Sequence, residues 1–300
     1  MLRFGMYAVA ALVAVGTLSA CAGSGPDTPT GPPAVVASSD VWGSVARSVA
    51  GPDARVSSII TGTADPHSFE PGPAAVAEMA DAALVVFNGG GYDAWAADIL
   101  EEHPDVVSVD AFTLLDPGAV GEPEPANAHV FYELNTAKAV AGRIADALAG
   151  ADPAHADGYR SRAADFGRQA DAILERQRAL RTEFPGRAVV ATEPVAHYLL
   201  QAAGLRDRTP IGFTNAIEQD TDPAPVDIAA MLDLITGREV AALVFNDQTV
   251  TGATRRVREA ADQAGVPVVA VTETLPDGTE YLPWQAGLTE RLAAALRTAR

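Results

Sequence analysis

A chain of 300 residues with a single cysteine, Cys21, can form no disulfide within itself. Aromatic residues are also scarce, at 6%, while alanine is abundant, so helices should form readily and pack closely. Positive charge is in deficit: 21 Lys and Arg face 39 Asp and Glu, a formal net charge of −18. That balance excludes a nucleic-acid partner, whose phosphates would be repelled. It suits a secreted or cell-surface protein that attracts cations. After the first twenty residues no run is long and apolar enough to span a bilayer. Nor is there a His-Glu-x-x-His helix or an evident Ser-His-Asp set. Asn88-Gly-Gly-Gly91 lacks the spacing of a P-loop or a dinucleotide fingerprint and reads as a permissive turn. These absences weigh against an enzyme such as a metallohydrolase, which needs a water position and a general base.

What is present begins with a leader. Met1-Leu-Arg-Phe4 is a short basic start, and Met6 to Leu18 is almost unbroken in its apolarity. Such a segment is removed in processing and is not part of the fold. It ends Leu18-Ser-Ala-Cys21, which resembles the bacterial lipobox. The resemblance implies that Cys21 is lipidated and becomes the first mature residue. Losing residues 1–20 removes Arg3 and no acid, taking the net charge from −18 to −19. Residues 22–33 are glycine, proline and small polar residues with nothing to bury, a flexible tether from membrane to domain.

The remaining sequence, in a chain that is 48% hydrophobic, has ample core for one large domain or two smaller ones. Ala34 to Ser39 reads as a buried strand and Val41 to Ala50 as a helix. Strands over Val56–Ile60, Ala83–Phe87 and Val106–Val109 follow, separated by helices from Pro73 and over Tyr92–Glu102. A helix runs to about Ala149. Beyond Asp152-Pro153 the pattern stays helical to Glu183, about 45 Å at 1.5 Å per residue. That suits a rod joining two lobes better than a crossover in one sheet. Past Pro185 the alternation resumes with strands over Arg187–Thr192, Val240–Phe245 and Pro267–Val271. Helices open at Glu193 and span Ala224–Thr236, Val250–Ala264 and Leu282–Arg300. The expected fold is α/β: two lobes, each a parallel sheet flanked by helices, joined by one long rigid helix over a shared cleft. The boundaries read as leader 1–20, lipidated cysteine and tether 21–33, first lobe 34–151, linking helix 152–184 and second lobe 185–300.

Four polar side chains fall at strand ends or helix starts: His67 and His129 in the first lobe, Glu193 and Glu273 in the second. Ligands gather at the carboxyl ends of strands in open α/β sheets. Pro66 and Pro71 restrict the His67 loop on both sides. Two neutral imidazoles and two carboxylates balance a divalent cation, and four ligands from four loops make a closed site.

The same residues carry a resemblance that covers the whole chain. Asp65-Pro-His-Ser-Phe-Glu-Pro71 followed by Asp81-Ala-Ala-Leu-Val-Val-Phe-Asn-Gly89 resembles the zinc- and manganese-binding lipoproteins of bacterial ABC importers. Asn127-Ala-His-Val-Phe131 is similar to that family's second histidine motif, with Asn-Ala where Asp-Pro is usual. Glu193, Tyr198 and Gly204-Leu205 match the third motif. Val271-Thr-Glu273 with Gly278-Thr-Glu-Tyr281 resembles the fourth. The resemblance implies a metal held between lobes by His67, His129, Glu193 and Glu273 and handed to a membrane permease. It implies a monomeric, lipid-anchored protein on the extracytoplasmic face, with no catalytic cofactor. Glutamate at the third position looks like the manganese-type members, and Leu114 to Ala126 lacks the histidines frequent in zinc-type ones. Manganese is thus the expected ion, zinc remains open because intrinsic affinity rises toward it, and Fe2+ is admitted by the same donors. Some surface members have been read as adhesins, and the alternative role is a surface adhesin or scaffold whose metal is structural, ahead of a metallohydrolase.

The other histidines have plainer expectations. His103 lies at a helix end before a proline, and His155 in a polar helix start. His197, four residues after Glu193, shares its helix face. It is a core residue, a group that orients that carboxylate, or a substitute ligand, and the motif position favours Glu193 as the ligand with His197 orienting it.

Overall fold

A computed structural model of the protein describes residues 1, 31–62, 64, 69–116 and 126–299. Cys21, the leader after Met1, the tether up to residue 30 and His67 therefore lie outside the described residues. The chain divides into two units, Met1–Gly31 and Pro32–Arg300. All described secondary structure belongs to the second.

The first half carries β1 (Ala34–Ser39), α1 (Asp40–Ala50), β2 (Arg55–Ile60), α2 (Pro73–Ala80), β3 (Leu84–Phe87), α3 (Ala94–Glu102) and β4 (Ser108–Asp110). A 3-10 turn over Val130–Tyr132 leads into α4 (Leu134–Ala151), and a second over Pro153–His155 into α5 (Ala156–Glu183). The second half carries β5 (Ala188–Ala191), α6 (His197–Ala202), β6 (Arg206–Asp207), α7 (Ile211–Glu218), α8 (Pro225–Thr236), β7 (Leu243–Asn246), α9 (Gly252–Ala264), β8 (Val268–Val271) and α10 (Tyr281–Thr298).

Each half builds one parallel four-stranded sheet, ordered β2-β1-β3-β4 and β6-β5-β7-β8. The strand sequences explain this. Leu84-Val-Val-Phe87 and Ala188-Val-Val-Ala191 are buried at every residue. Such continuous apolar runs suit parallel sheets covered on both faces. In both sheets the order reverses about the first strand, so a crevice opens at the carboxyl ends of β1 and β3 and of β5 and β7. The two-lobed α/β architecture expected from the sequence is the one observed.

Three differences matter. The linking helix starts at Ala156, because Pro153 sits in the preceding 3-10 turn. It is also more than a rod: α5 packs along α1 and α4 of the first lobe and along α6 and α10 of the second. Tyr159, Phe166, Ala170, Ile173, Leu174, Gln177 and Leu180 form its buried stripe. Phe166 stacks on Tyr281 at 5.9 Å. The main apolar cluster consequently runs without interruption from Val35 to Leu296, so the lobes share a core. Smaller clusters fill the outer face of each sheet, one around Phe213 and Met231, the other around Met79 and Phe87. Finally, β6 and α7 are absent from the sequence reading. The strand has two residues, and α7 buries only Phe213 and Ile217, too little for a helical period to register.

Candidate metal centre

The second sheet's register sets the site. Ala191 pairs with Val244 and Asn246 with Val271. Glu193, two residues past Ala191, therefore comes level with Asn246, the last residue of β7. Glu273 follows two residues past Val271. Glu193 is extended (φ −149°, ψ 163°) and caps the 3-10 turn Pro194–Ala196. Both carboxylates are buried, each 4% exposed.

His129 reaches the same place from the first half and is 1% exposed. Its Nε2 lies 3.7 Å from Glu273 Oε2 and 3.9 Å from Glu218 Oε1. Two donors on a tetrahedral ion with bonds of about 2.1 Å stand roughly 3.4 Å apart, so the first separation is close to that of a ligand pair. The rings of Tyr92 and Phe131 flank the imidazole edge-on at 5.7 and 5.8 Å. Asn127 Oδ1 accepts from His129 N at 2.8 Å and pairs with its Nδ1 at 2.9 Å. Asn88, at the end of the first sheet's crevice, donates to Ala128 O at 2.8 Å and so fixes the loop from the other side.

That loop is held by second-lobe groups along its whole length. Tyr198 Oη donates to Asn127 O at 2.7 Å, and Asn127 Nδ2 to Pro194 O at 3.0 Å. Tyr132 Oη donates to Thr272 O at 2.8 Å, while Tyr281 Oη and Gln285 Nε2 both donate to Phe131 O. His129 is thereby positioned by the lobe that supplies the carboxylates. The start of the His67 loop is tied in the same way: Gly62 O accepts from Thr274 Oγ1 and from Gln248 Nε2. Phe69 packs on Trp95 at 5.3 Å.

The electrostatics are those of a site built around positive charge. Burial pushes the Glu193 carboxyl up to about 8, helped by the charges of Glu273 and Glu218 and opposed by hydrogen bonds from Asn246 and Thr249. Its Oε1 is buried with no hydrogen-bond partner among the described residues. A buried acid left in this state is costly, and a cation removes the cost. No three His, Cys, Asp or Glu side chains among the described residues already cage an ion, and the fourth expected ligand, His67, lies outside them.

Three of the expected residues, His129, Glu193 and Glu273, thus come together. His197 is half-buried, edge-on to Tyr198 at 5.1 Å. Asn246 holds Glu193, with Nδ2 donating to Glu193 Oε2 at 2.6 Å. Its sequence setting, Phe245-Asn-Asp247, looks like an ordinary strand-end turn, and nothing in it signals this role. Glu218 was equally hidden, at the end of a helix too weakly patterned to register.

This constellation can be compared with known proteins. Residues 35–295 match the model of the family described as ZnuA, the periplasmic component A of a zinc-uptake complex. The chain belongs to that family. Among curated relatives, the manganese-binding lipoprotein MntA of Halalkalibacterium halodurans is 26% identical over 218 residues, 72% of this chain and 71% of its own. The manganese ABC transporter substrate-binding lipoprotein PsaA of Streptococcus pneumoniae is 22% identical over 298 residues, 93% of this chain and 94% of its own. The periplasmic zinc-binding protein TroA from Treponema pallidum superimposes with a TM-score of 0.76 at 18% identity, covering 90% of this chain and 100% of that one. At that identity the likeness shows a shared family fold.

Proposed function

We propose that the protein is the solute-binding lipoprotein of an ABC importer, capturing a divalent transition-metal ion and delivering it to a membrane permease. The ion is manganese or zinc, with Fe2+ accepted by the same donors. His67, His129, Glu193 and Glu273 would be its ligands. The observation that carries this reading is the buried Glu193–Glu273 pair facing His129, with Glu193 driven toward protonation by burial and by the neighbouring acids. Family membership supports it, since the family is one of importer binding proteins and not of enzymes. The relatives MntA and PsaA are both named as lipoproteins and manganese-binding or manganese-transporting. The tie from Gly62 to Thr274, next to Glu273, supports bringing the His67 loop to the same point.

Among the described residues no helix is long and apolar enough to cross a membrane. A lipid on Cys21 would hold the protein at the extracytoplasmic face. In this reading residues 1–20 are the removed leader, 21–33 the tether, 34–151 and 185–300 the lobes, and 152–184 the joining segment. The protein works as a monomer. The test is the metal content of protein purified without added metal, followed by calorimetric competition between zinc and manganese. One ion bound per chain, exchangeable by a chelator without unfolding, is expected. A chain that takes up neither ion overturns the reading, and one that unfolds on stripping points to a structural metal.

A further inference from the structure

Asn246 is 1% exposed and fastened on three sides. Its backbone N–H donates to Thr192 Oγ1 at 2.9 Å. Its Oδ1 accepts from Gln248 N at 3.1 Å, which fixes the orientation of the amide and turns the NH2 group toward the acids. Nδ2 then donates to Glu193 Oε2 at 2.6 Å and approaches Glu273 Oε1 at 3.0 Å, with Thr249 Oγ1 at 3.3 Å. The neighbouring Gln248 braces the arrangement, because its Oε1 accepts from the backbone N–H of Glu273 at 2.5 Å and of Thr274 at 3.2 Å. One neutral amide thus engages one oxygen of each carboxylate. The other oxygen of Glu273 is the one on the His129 side, 3.7 Å from Nε2.

A carboxylate oxygen that gives its electron density to an N–H is a poorer donor to a cation, and it stays turned toward the amide while the bond lasts. One oxygen of Glu193 and one of Glu273 are held by the amide in this way. We propose that Asn246 is a specificity-determining residue that limits both carboxylates to single-oxygen coordination and so favours an ion content with four ligands over one that wants more. This rests on the metal-site reading above. Two histidines and two single oxygens make four donors, the tetrahedral set that suits zinc. Manganese, with its preference for six oxygen-rich ligands, would use both oxygens of each acid. Glutamate in place of histidine at position 193 therefore does not by itself make the site manganese-selective, because Asn246 withholds half of what the carboxylate could give.

The experiment measures zinc and manganese binding to the wild type and to Asn246→Ala by calorimetry, with a competing chelator for zinc. X-ray absorption on the zinc-loaded and manganese-loaded wild type counts ligand atoms independently of whether the variant folds. The expected result is four light-atom neighbours around zinc in the wild type. In Asn246→Ala the manganese-to-zinc affinity ratio should rise at least tenfold. An unchanged ratio in a folded variant, or chelating carboxylates around either ion in the wild type, overturns the role of Asn246 and leaves the site standing. If the wild type binds neither ion, the metal-site reading itself falls and takes this one with it.

Discussion

Asn127 Oδ1 accepts hydrogen bonds from both the backbone N–H and the ring Nδ1–H of His129, at 2.8 and 2.9 Å. The amide orientation is unambiguous, because the Nδ2 side donates to Pro194 O at 3.0 Å and reversing it would lose the bonds. An oxygen that only accepts requires the proton on Nδ1, which leaves the Nε2 lone pair facing Glu273. The same geometry accounts for the departure of Asn127-Ala from the family's usual Asp-Pro: a carboxylate could orient the imidazole but could not donate to Pro194. Partners of this kind typically change metal affinity by about 10–100-fold. Asn127→Leu should weaken zinc binding by that much. Asn127→Asp keeps the acceptor and loses only the bond to Pro194, so a smaller loss, below about tenfold, is expected. Equal affinity of Asn127→Leu and wild type by calorimetry would show that the imidazole is oriented by something else.

The ligand set makes a graded prediction. His67→Ala and His129→Ala should each cost several kcal/mol of metal binding, on the order of 3–5, since a donor is lost and the acids remain buried. Glu193→Gln should be comparably damaging, while His197→Gln should change little, because the amide that holds Glu193 belongs to Asn246. Calorimetry on all four variants, with circular dichroism to confirm folding, gives the ranking. A greater loss from His197→Gln than from Glu193→Gln would reassign the third ligand.

Much of this was legible before the structure because strand ends are. The apolar runs that become β1, β3, β5, β7 and β8 stop abruptly, and the polar residue just past each stop had to lie at the crevice. That logic finds Glu193 and Glu273. His129 was legible instead as a polar residue just before a helical start and in its histidine motif, and His67, on the loop after β2, lies outside the described residues. It does not find Asn246, since an amide at a strand end signals a turn as readily as a clamp. Nor does it find the continuous core, because periodicity marks which face of α5 is buried and not that one face serves two lobes. Glu218 depends on a helix whose own pattern is too short to read.

The bonds that carry His129 on the second lobe can be tested one by one. Tyr198→Phe removes only the hydroxyl that donates to Asn127 O at 2.7 Å. The carbonyl is left without that donor, and the expected loss is about 1 kcal/mol of stability. Metal affinity should fall with it, because the loop carrying His129 loses a restraint. Thermal unfolding and zinc calorimetry on the variant check both. A drop in stability with unaltered affinity would mean that the loop is positioned well enough by Asn88 and Asn127.

The anchor is a separate matter. If Cys21 is lipidated, Cys21→Ala should appear in the medium or accumulate as an unprocessed precursor, followed by fractionation and mass spectrometry of the mature amino terminus. Full processing with unchanged membrane retention would remove Cys21 from that role. Two or more acyl chains are needed for stable anchoring, so the mass should show more than one.

The raised Glu193 carboxyl gives the pH dependence. Its value rises from the ordinary 4.5 to about 8, chiefly through burial. A group whose folded value is raised contributes stability that is fully present below the unfolded value and lost as pH climbs through the folded one. Metal-free protein should therefore lose stability between about pH 4.5 and 8, by an amount on the order of a few kcal/mol. Glu193→Gln, which stays neutral throughout, should show a flatter profile over that window. Metal must displace the proton, so binding near pH 7 should release about one proton from this group and weaken as the solution is acidified. Calorimetry in two buffers of different ionisation enthalpy counts the protons directly. A release that is the same in wild type and Glu193→Gln would place the titrating group elsewhere and would remove the argument that burial of this carboxylate holds the site open for a cation.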